Sequence, residues 1–129
     1  MPLQRFDMVA GRSPAEVQSL LAAAQRAVVA AFRVPASDLY QIVHQHPRHE
    51  LAAQDTGLGI ARSDKLVFLS MTSRPRDESA KLDFYRRLCL ELELNCDMSG
   101  DDVIVSITIN ADADWSFGRG LAQFITGEL

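Results

Sequence analysis

The feature that most constrains this chain is a hydrophobic pattern that occurs twice while the residues themselves do not repeat. Leu3 to Val9 reads as a short, half-polar strand. Ser13-Pro14-Ala15-Glu16 then carries a helix start: a capping hydroxyl, a proline suited to the first helical position, and a glutamate that completes a capping box. Val17, Leu20, Leu21, Ala24, Val28, Ala31 and Phe32 follow at helical spacing and form one apolar face. Pro35 helps stop that helix, and Leu39 to His46 reads as a second strand closed by Pro47. The same order returns further along. Lys65 to Thr72 is a nearly continuous apolar strand, and Asp77 opens a helix whose expected inner face is Leu82, Tyr85, Leu88, Cys89 and Leu92. Val103 to Ile109 is the second strand of that half. Corresponding elements are offset by about 63 residues, the mark of a duplicated β-α-β unit.

Each unit makes a right-handed crossover between parallel strands. Two of them in one sheet, with both helices on one face, give an α+β fold: a two-layer sandwich of fused β-α-β units, approximately 2–47 and 65–109, followed by an arm over 110–129. The whole of 1–129 is expected to form one domain. The sheet face turned away from the helices still carries Val, Ile and Leu, so a homo-oligomer that packs sheets toward a centre is expected. A net charge of −4, from 13 basic and 17 acidic residues, speaks against general nucleic-acid binding. It leaves room for a small anion, which needs only a few local cations. No apolar run has the length of a bilayer span, and MPLQRFDMV lacks the features of a signal peptide, so a cytoplasmic protein is expected. Cys89 and Cys96, seven apart, suit neither a redox pair nor a zinc knuckle and are expected to be reduced, partly buried thiols.

Three features bear chemistry. Pro2 becomes a rigid secondary amine at the head of a strand once Met1 is removed, able to act as acid, base or nucleophile. Arg74-Pro75-Arg76 presents two forked donors on a stiff turn, an arrangement suited to a carboxylate, although taken by itself it reads more readily as an exposed basic loop before a helix. Topology couples the two. If a pseudo-twofold axis relates the units, their first strands run antiparallel and the arginines reach Pro2. The third feature is the tail, where Trp115, Phe117 and Phe124 either wall a pocket or pack on the core or a neighbouring subunit. Asp38 either orients a water or substrate group or caps a turn. The alternating aspartates at 112 and 114 lack the calcium-loop pattern. His44, His46 and His49 lack a further ligand at matching spacing, so no metal is expected.

The PL start, Gly11-Arg12-Ser13 at the helix entry, VPA-D--YQ at 34–41, DTGLG at 55–59, SRPR at 73–76, DDVIV at 101–105 and DADWSFGRG at 112–120 resemble the malonate semialdehyde decarboxylase family of the tautomerase superfamily. The likeness runs along nearly the whole chain and departs mainly on helix surfaces and at 44–49. It implies a trimer in which Pro2 is the catalytic amine and Arg74 and Arg76 hold a substrate carboxylate. Asp38 would assist Pro2 or a bound water, with Trp115, Phe117 and Phe124 as a hydrophobic wall. The implied reaction converts the small oxo acid 3-oxopropanoate to acetaldehyde and carbon dioxide without metal or organic cofactor. Keto–enol tautomerisation or hydration of an unsaturated acid uses the same amine and clamp. A trimeric binding module without catalysis is the third reading.

Overall fold

A computed structural model describes all residues, 1–129. Strand β1 spans Leu3–Val9, helix α1 Pro14–Phe32 and strand β2 Tyr40–His46; the second half follows with β3 at Val67–Ser73, α2 at Glu78–Cys96 and β4 at Val103–Ile109. The sheet order is β2-β1-β3-β4. β1 runs parallel to β2, β3 runs parallel to β4, and the two central strands β1 and β3 are antiparallel. The chain therefore has the expected α+β architecture of two β-α-β units.

Local signals hold up in detail. Ser13 caps α1 with its side chain accepting from the Glu16 amide, Glu16 answers at the Ser13 amide, and Pro14 is the first helical residue. Asp77 caps α2 in the same way through the Ala80 amide. Both helices end on a residue in the left-handed region, Arg33 at φ 53° and Asp97 at φ 50°. These two stand in equivalent places of the two halves.

The helices share one face of the sheet. Phe6, Met8, Val67, Leu69 and Met71 point into this layer and meet Leu20, Ala24, Val28 and Phe32 of α1 with Phe84, Leu88 and Leu92 of α2. Each large side chain buried this way contributes about 1.5–3 kcal/mol. Ala23 and Ala27 are fully buried. Their small size permits a close helix approach. One detail of the expected α2 face is corrected. Leu82 is 57% exposed, and Phe84 at 0% takes the inner position. Two residues along a helix are about 200° of rotation, so Phe84, Leu88 and Leu92 form the stripe that faces the core and Leu82 cannot join it.

The other sheet face is less uniformly apolar than expected. At the end away from Pro2, Leu51 and Leu66 pack with Val9, Phe68 and Ile104, so the segment between β2 and β3 covers that corner. Between the two ends the face presents Arg5, Asp7, Ser70 and Ser106. The accessible surface is 7575 Å². A compact chain of this mass exposes about 6800 Å².

Candidate active site

The site forms where β1 begins and β3 ends. Leu3 lies opposite Thr72 on β3 and opposite Tyr40 on β2, so Pro2 falls between Ser73 and the turn that carries Asp38. Pro2 is fully buried beneath Met1. The α-amino group at this end of β1 is held below its ordinary value. Burial is the main cause, Arg76 adds to it, Asp38 opposes it, and Arg74 lowers it further. The antiparallel pairing of β1 with β3 and its parallel pairing with β2 thus bring together four residues that the sequence scatters: Pro2, Asp38, Arg74 and Arg76. With Met1 in place that amine belongs to Met1; once Met1 is removed it becomes the ring nitrogen of Pro2.

Both arginines are oriented through Nε. Arg76 donates from Nε to the buried Ser73 hydroxyl at 3.2 Å and from Nη1 to the Phe32 carbonyl at 3.4 Å, with its guanidinium 5.1 Å from the Phe32 ring centre. Burial first, then the neighbouring Arg74, pull its pKa below the ordinary range, against Asp38. Two guanidinium groups held this close repel one another, and an anion between them relieves the repulsion. Arg74 donates from Nε to Asp112 at 2.7 Å, and its guanidinium carbon lies 4.0 Å from the centre of the Phe124 ring.

The arm supplies the wall. It leaves β4 with the Asn110 amide donating to the Ser73 carbonyl at 2.9 Å and runs past the end of the sheet, from Arg74, which Phe124 touches, to Tyr40 on β2, which Phe117 meets. Trp115 stacks on Phe117 at 5.5 Å between ring centres, and Phe124 meets Phe117 edge-on at 5.4 Å. Trp115 Nε1 donates to Asn110 Oδ1 at 2.7 Å, and the Phe117 amide donates to Gln123 Oε1 at 2.9 Å. The three aromatic residues form one continuous surface.

Two residues at this site escape a sequence reading. Tyr40 stacks on Phe117 at 5.8 Å and ties the arm to β2. Asp112 pairs with Arg74, although its spacing with Asp114 brings only calcium to mind. Neither has a local signal, because each acquires its partner from a distant element. The backbone of Asp38 is held by a half-buried amide relay. Gln25 donates to the Asp38 carbonyl at 3.0 Å and accepts from Gln4 at 3.0 Å, and Gln41 donates to Gln4 at 3.3 Å.

The histidines stand elsewhere. His44 and His46 share the open sheet face around Asp7, with His46 Nε2 2.6 Å from Asp7 Oδ1, and His49 lies 3.7 Å from Glu50. No group of three or more His, Cys, Asp or Glu side chains is arranged to hold a metal ion. Cys89 and Cys96 are unpaired. Burial pushes both thiols up, so they are poor nucleophiles near neutrality. No helix is long and apolar enough to cross a membrane. A cleft of about 520 Å³ lies behind Arg76, between the end of α1 and the start of α2 and lined by Arg33, Asp77, Asp83 and Arg87, without facing the amine.

Comparison with known proteins decides the family. A family model described as tautomerase enzyme matches residues 38–118. The probable tautomerase YrdN of Bacillus subtilis (strain 168) is 51% identical over 129 residues, covering the full length of both chains. The chain belongs to the tautomerase family. A second Bacillus subtilis tautomerase-family relative, the probable tautomerase YusQ, is 28% identical over 97% of this chain and 99% of its own. Among solved structures, a malonate semialdehyde decarboxylase described for its decarboxylase and hydratase activities is 53% identical, with a TM-score of 0.97 and 98% of both chains covered. Another malonate semialdehyde decarboxylase, inhibited by 3-bromopropiolate, is 34% identical over 98% of this chain and 97% of its own, with a TM-score of 0.94. A fused 4-OT trimer at 21% identity and a TM-score of 0.78 shares the fold. The resemblance read from the motifs is thus matched by both whole-chain identity and backbone geometry, and the protein is an enzyme of the tautomerase superfamily.

Proposed function

We propose that this tautomerase-family enzyme decarboxylates 3-oxopropanoate to acetaldehyde and carbon dioxide, without metal or organic cofactor, through the amine of Pro2 after Met1 is removed. The observation that carries the reading is the meeting of the β1 amine with Asp38, Arg74 and Arg76, with the aromatic cluster of the arm against Arg74. Identity of 53% to a malonate semialdehyde decarboxylase directs the choice among superfamily reactions. The forms of that relative that were solved include a proline-to-alanine mutant at its first residue, which supports the role given to Pro2.

The chemistry follows from the residues. Arg74 and Arg76 hold the carboxylate and turn it out of the plane of the β-carbonyl, so the breaking C–C bond overlaps that carbonyl. Trp115, Phe117 and Phe124 exclude water on the side from which neutral carbon dioxide departs. The electron pair passes to the β-carbon's oxygen, where a protonated Pro2 donates a hydrogen bond, or to an iminium that neutral Pro2 forms with loss of water. In the second route the resulting enamine takes a proton at carbon, and water releases acetaldehyde and restores the amine. Burial and the arginines favour the neutral amine, and Asp38 favours the cation. Borohydride reduction during turnover separates the routes, since only the iminium leaves a permanent adduct on Pro2.

Hydration of an unsaturated acid is the second reading, favoured by the hydratase activity named for the 53%-identical structure. A homotrimer belongs to the same proposal, supported by the fused 4-OT relatives described as trimers and by the surplus of exposed surface. A cytoplasmic setting accords with two unpaired thiols. The test is proton NMR of 3-oxopropanoate with protein whose free Pro2 has been verified by mass. Acetaldehyde is expected, and Pro2→Ala is expected to slow its appearance by about 10²-fold or more. Unchanged substrate with the Pro2 enzyme overturns the decarboxylase reading.

A further inference from the structure

The two arginines are not equivalent, and the difference lies in Asp112. Arg74 has a carboxylate partner at 2.7 Å, whereas Arg76 is hydrogen-bonded only to neutral groups, the Ser73 hydroxyl and the Phe32 carbonyl, and feels Asp38 without an ion pair to it. Asp112 engages Arg74 at Nε, and the Phe124 ring lies against the guanidinium at 4.0 Å. What remains of Arg74 for a ligand is its Nη edge. The pairing leaves that edge able to donate hydrogen bonds and sets a carboxylate behind them. Asp112 is itself fixed by its place at the start of the turn Asp112–Asp114, which the Asp114 carboxylate closes by accepting the Ala111 amide at 2.8 Å.

We infer that Asp112 is a positioning and specificity-determining residue: it aims Arg74 and offsets part of its charge, so that two guanidinium groups set against two carboxylates, Asp112 and Asp38, suit the site to one substrate carboxylate rather than two. A second carboxylate on the ligand finds both arginines engaged by the first and faces Asp112 and, on the β2 side, Asp38. The inference rests on the reading of Arg74 and Arg76 as the carboxylate clamp, and it adds the residue that sets the clamp's charge. The arm therefore carries charge selection as well as the hydrophobic wall.

The test uses two unreactive acids of equal carbon number, propanoate and malonate, titrated into the full-length protein lacking Met1 and followed by amide NMR shifts. Neither acid carries the oxo group, so binding is read without turnover. The native protein is expected to favour propanoate. Asp112→Asn, which keeps the hydrogen-bond geometry but removes the charge, is expected to shift the ratio toward malonate by about two- to fivefold, as suits a half-exposed pair. Asp112→Glu is expected to restore the preference. The shift in ratio is expected to shrink at about 0.5 M salt, where screening is strong. An unchanged ratio in Asp112→Asn, or equal weakening of both acids together with altered Trp115 fluorescence, makes Asp112 a strut for the arm and overturns the proposal. Binding of neither acid to the native protein overturns it as well, along with the clamp. Absence of carbon dioxide from 3-oxopropanoate, with the selectivity intact, counts against the decarboxylase reading alone.

Discussion

A single strand terminus collects opposing influences on one amine. Partial burial and Arg76 lower its pKa, Arg74 adds to that, and Asp38 works the other way. The signs give a direct expectation for Pro2 once it is free. Arg76→Ala removes a neighbouring cation, so the protonated amine is less penalised and the pKa rises. Asp38→Asn removes a stabilising anion, so the pKa falls further. Nitrogen NMR titration of proline-labelled protein checks both shifts, and movement of the two variants in the same direction would refute this electrostatic account. A step that needs the neutral amine gains rate as pH rises through this pKa, while one that needs the cation loses it. The α-amino group also couples weakly to folding. Its folded-state pKa lies below the ordinary value, so the contribution is present above the unfolded pKa and is lost as pH falls through the folded one.

At the scale of elements, β3 and its turn, α1 and the arm share the task of placing the arginines. Ser73 closes β3 on the helix side and holds Arg76, and the last turn of α1 offers the Phe32 carbonyl and ring to the same side chain. The start of α1 matters more for stability than for the site. Ser13 and Glu16 form a reciprocal cap at that end. Ser13→Ala is expected to cost about 1 kcal/mol in urea unfolding while leaving the activity of the folded protein intact. A loss below about 0.3 kcal/mol would mean that water replaces the cap without penalty. This cap was legible because it is a local matter of side chain and backbone within four residues. The α2 face was only partly legible, since Leu82 and Phe84 are both apolar and only the direction of the sheet selects between them.

The whole molecule carries two halves with different fates. The Arg12 and Asp102 positions correspond to Arg76 and Asp38 in the repeat, yet the far end is occupied by the chain itself. Asp102 accepts from the Ser63 amide at 2.7 Å and from its hydroxyl at 2.6 Å, and Arg12 donates to the Lys65 carbonyl at 2.7 Å. The linker that enters β3 consumes there the charges left free at the β1 end, and it brings a peptide bond where the other end has an amine. The surface that exceeds a compact monomer's by roughly a tenth gives the last expectation. Sedimentation equilibrium should return three times the 14.3 kDa of the chain, and a monomer at micromolar concentration would remove the trimer from the reading. Strand and helix periods, caps and the paired β-α-β order were set by the sequence alone, because they depend on contacts between near neighbours. So was the presence of a penultimate proline and a twin-arginine turn. Only the tertiary structure decided that Asp112 pairs with Arg74, that Tyr40 stacks on the aromatic wall, and that the glutamine relay holds the Asp38 carbonyl. Each of these contacts joins residues far apart in the chain, and the strand register and the path of the arm select the partners.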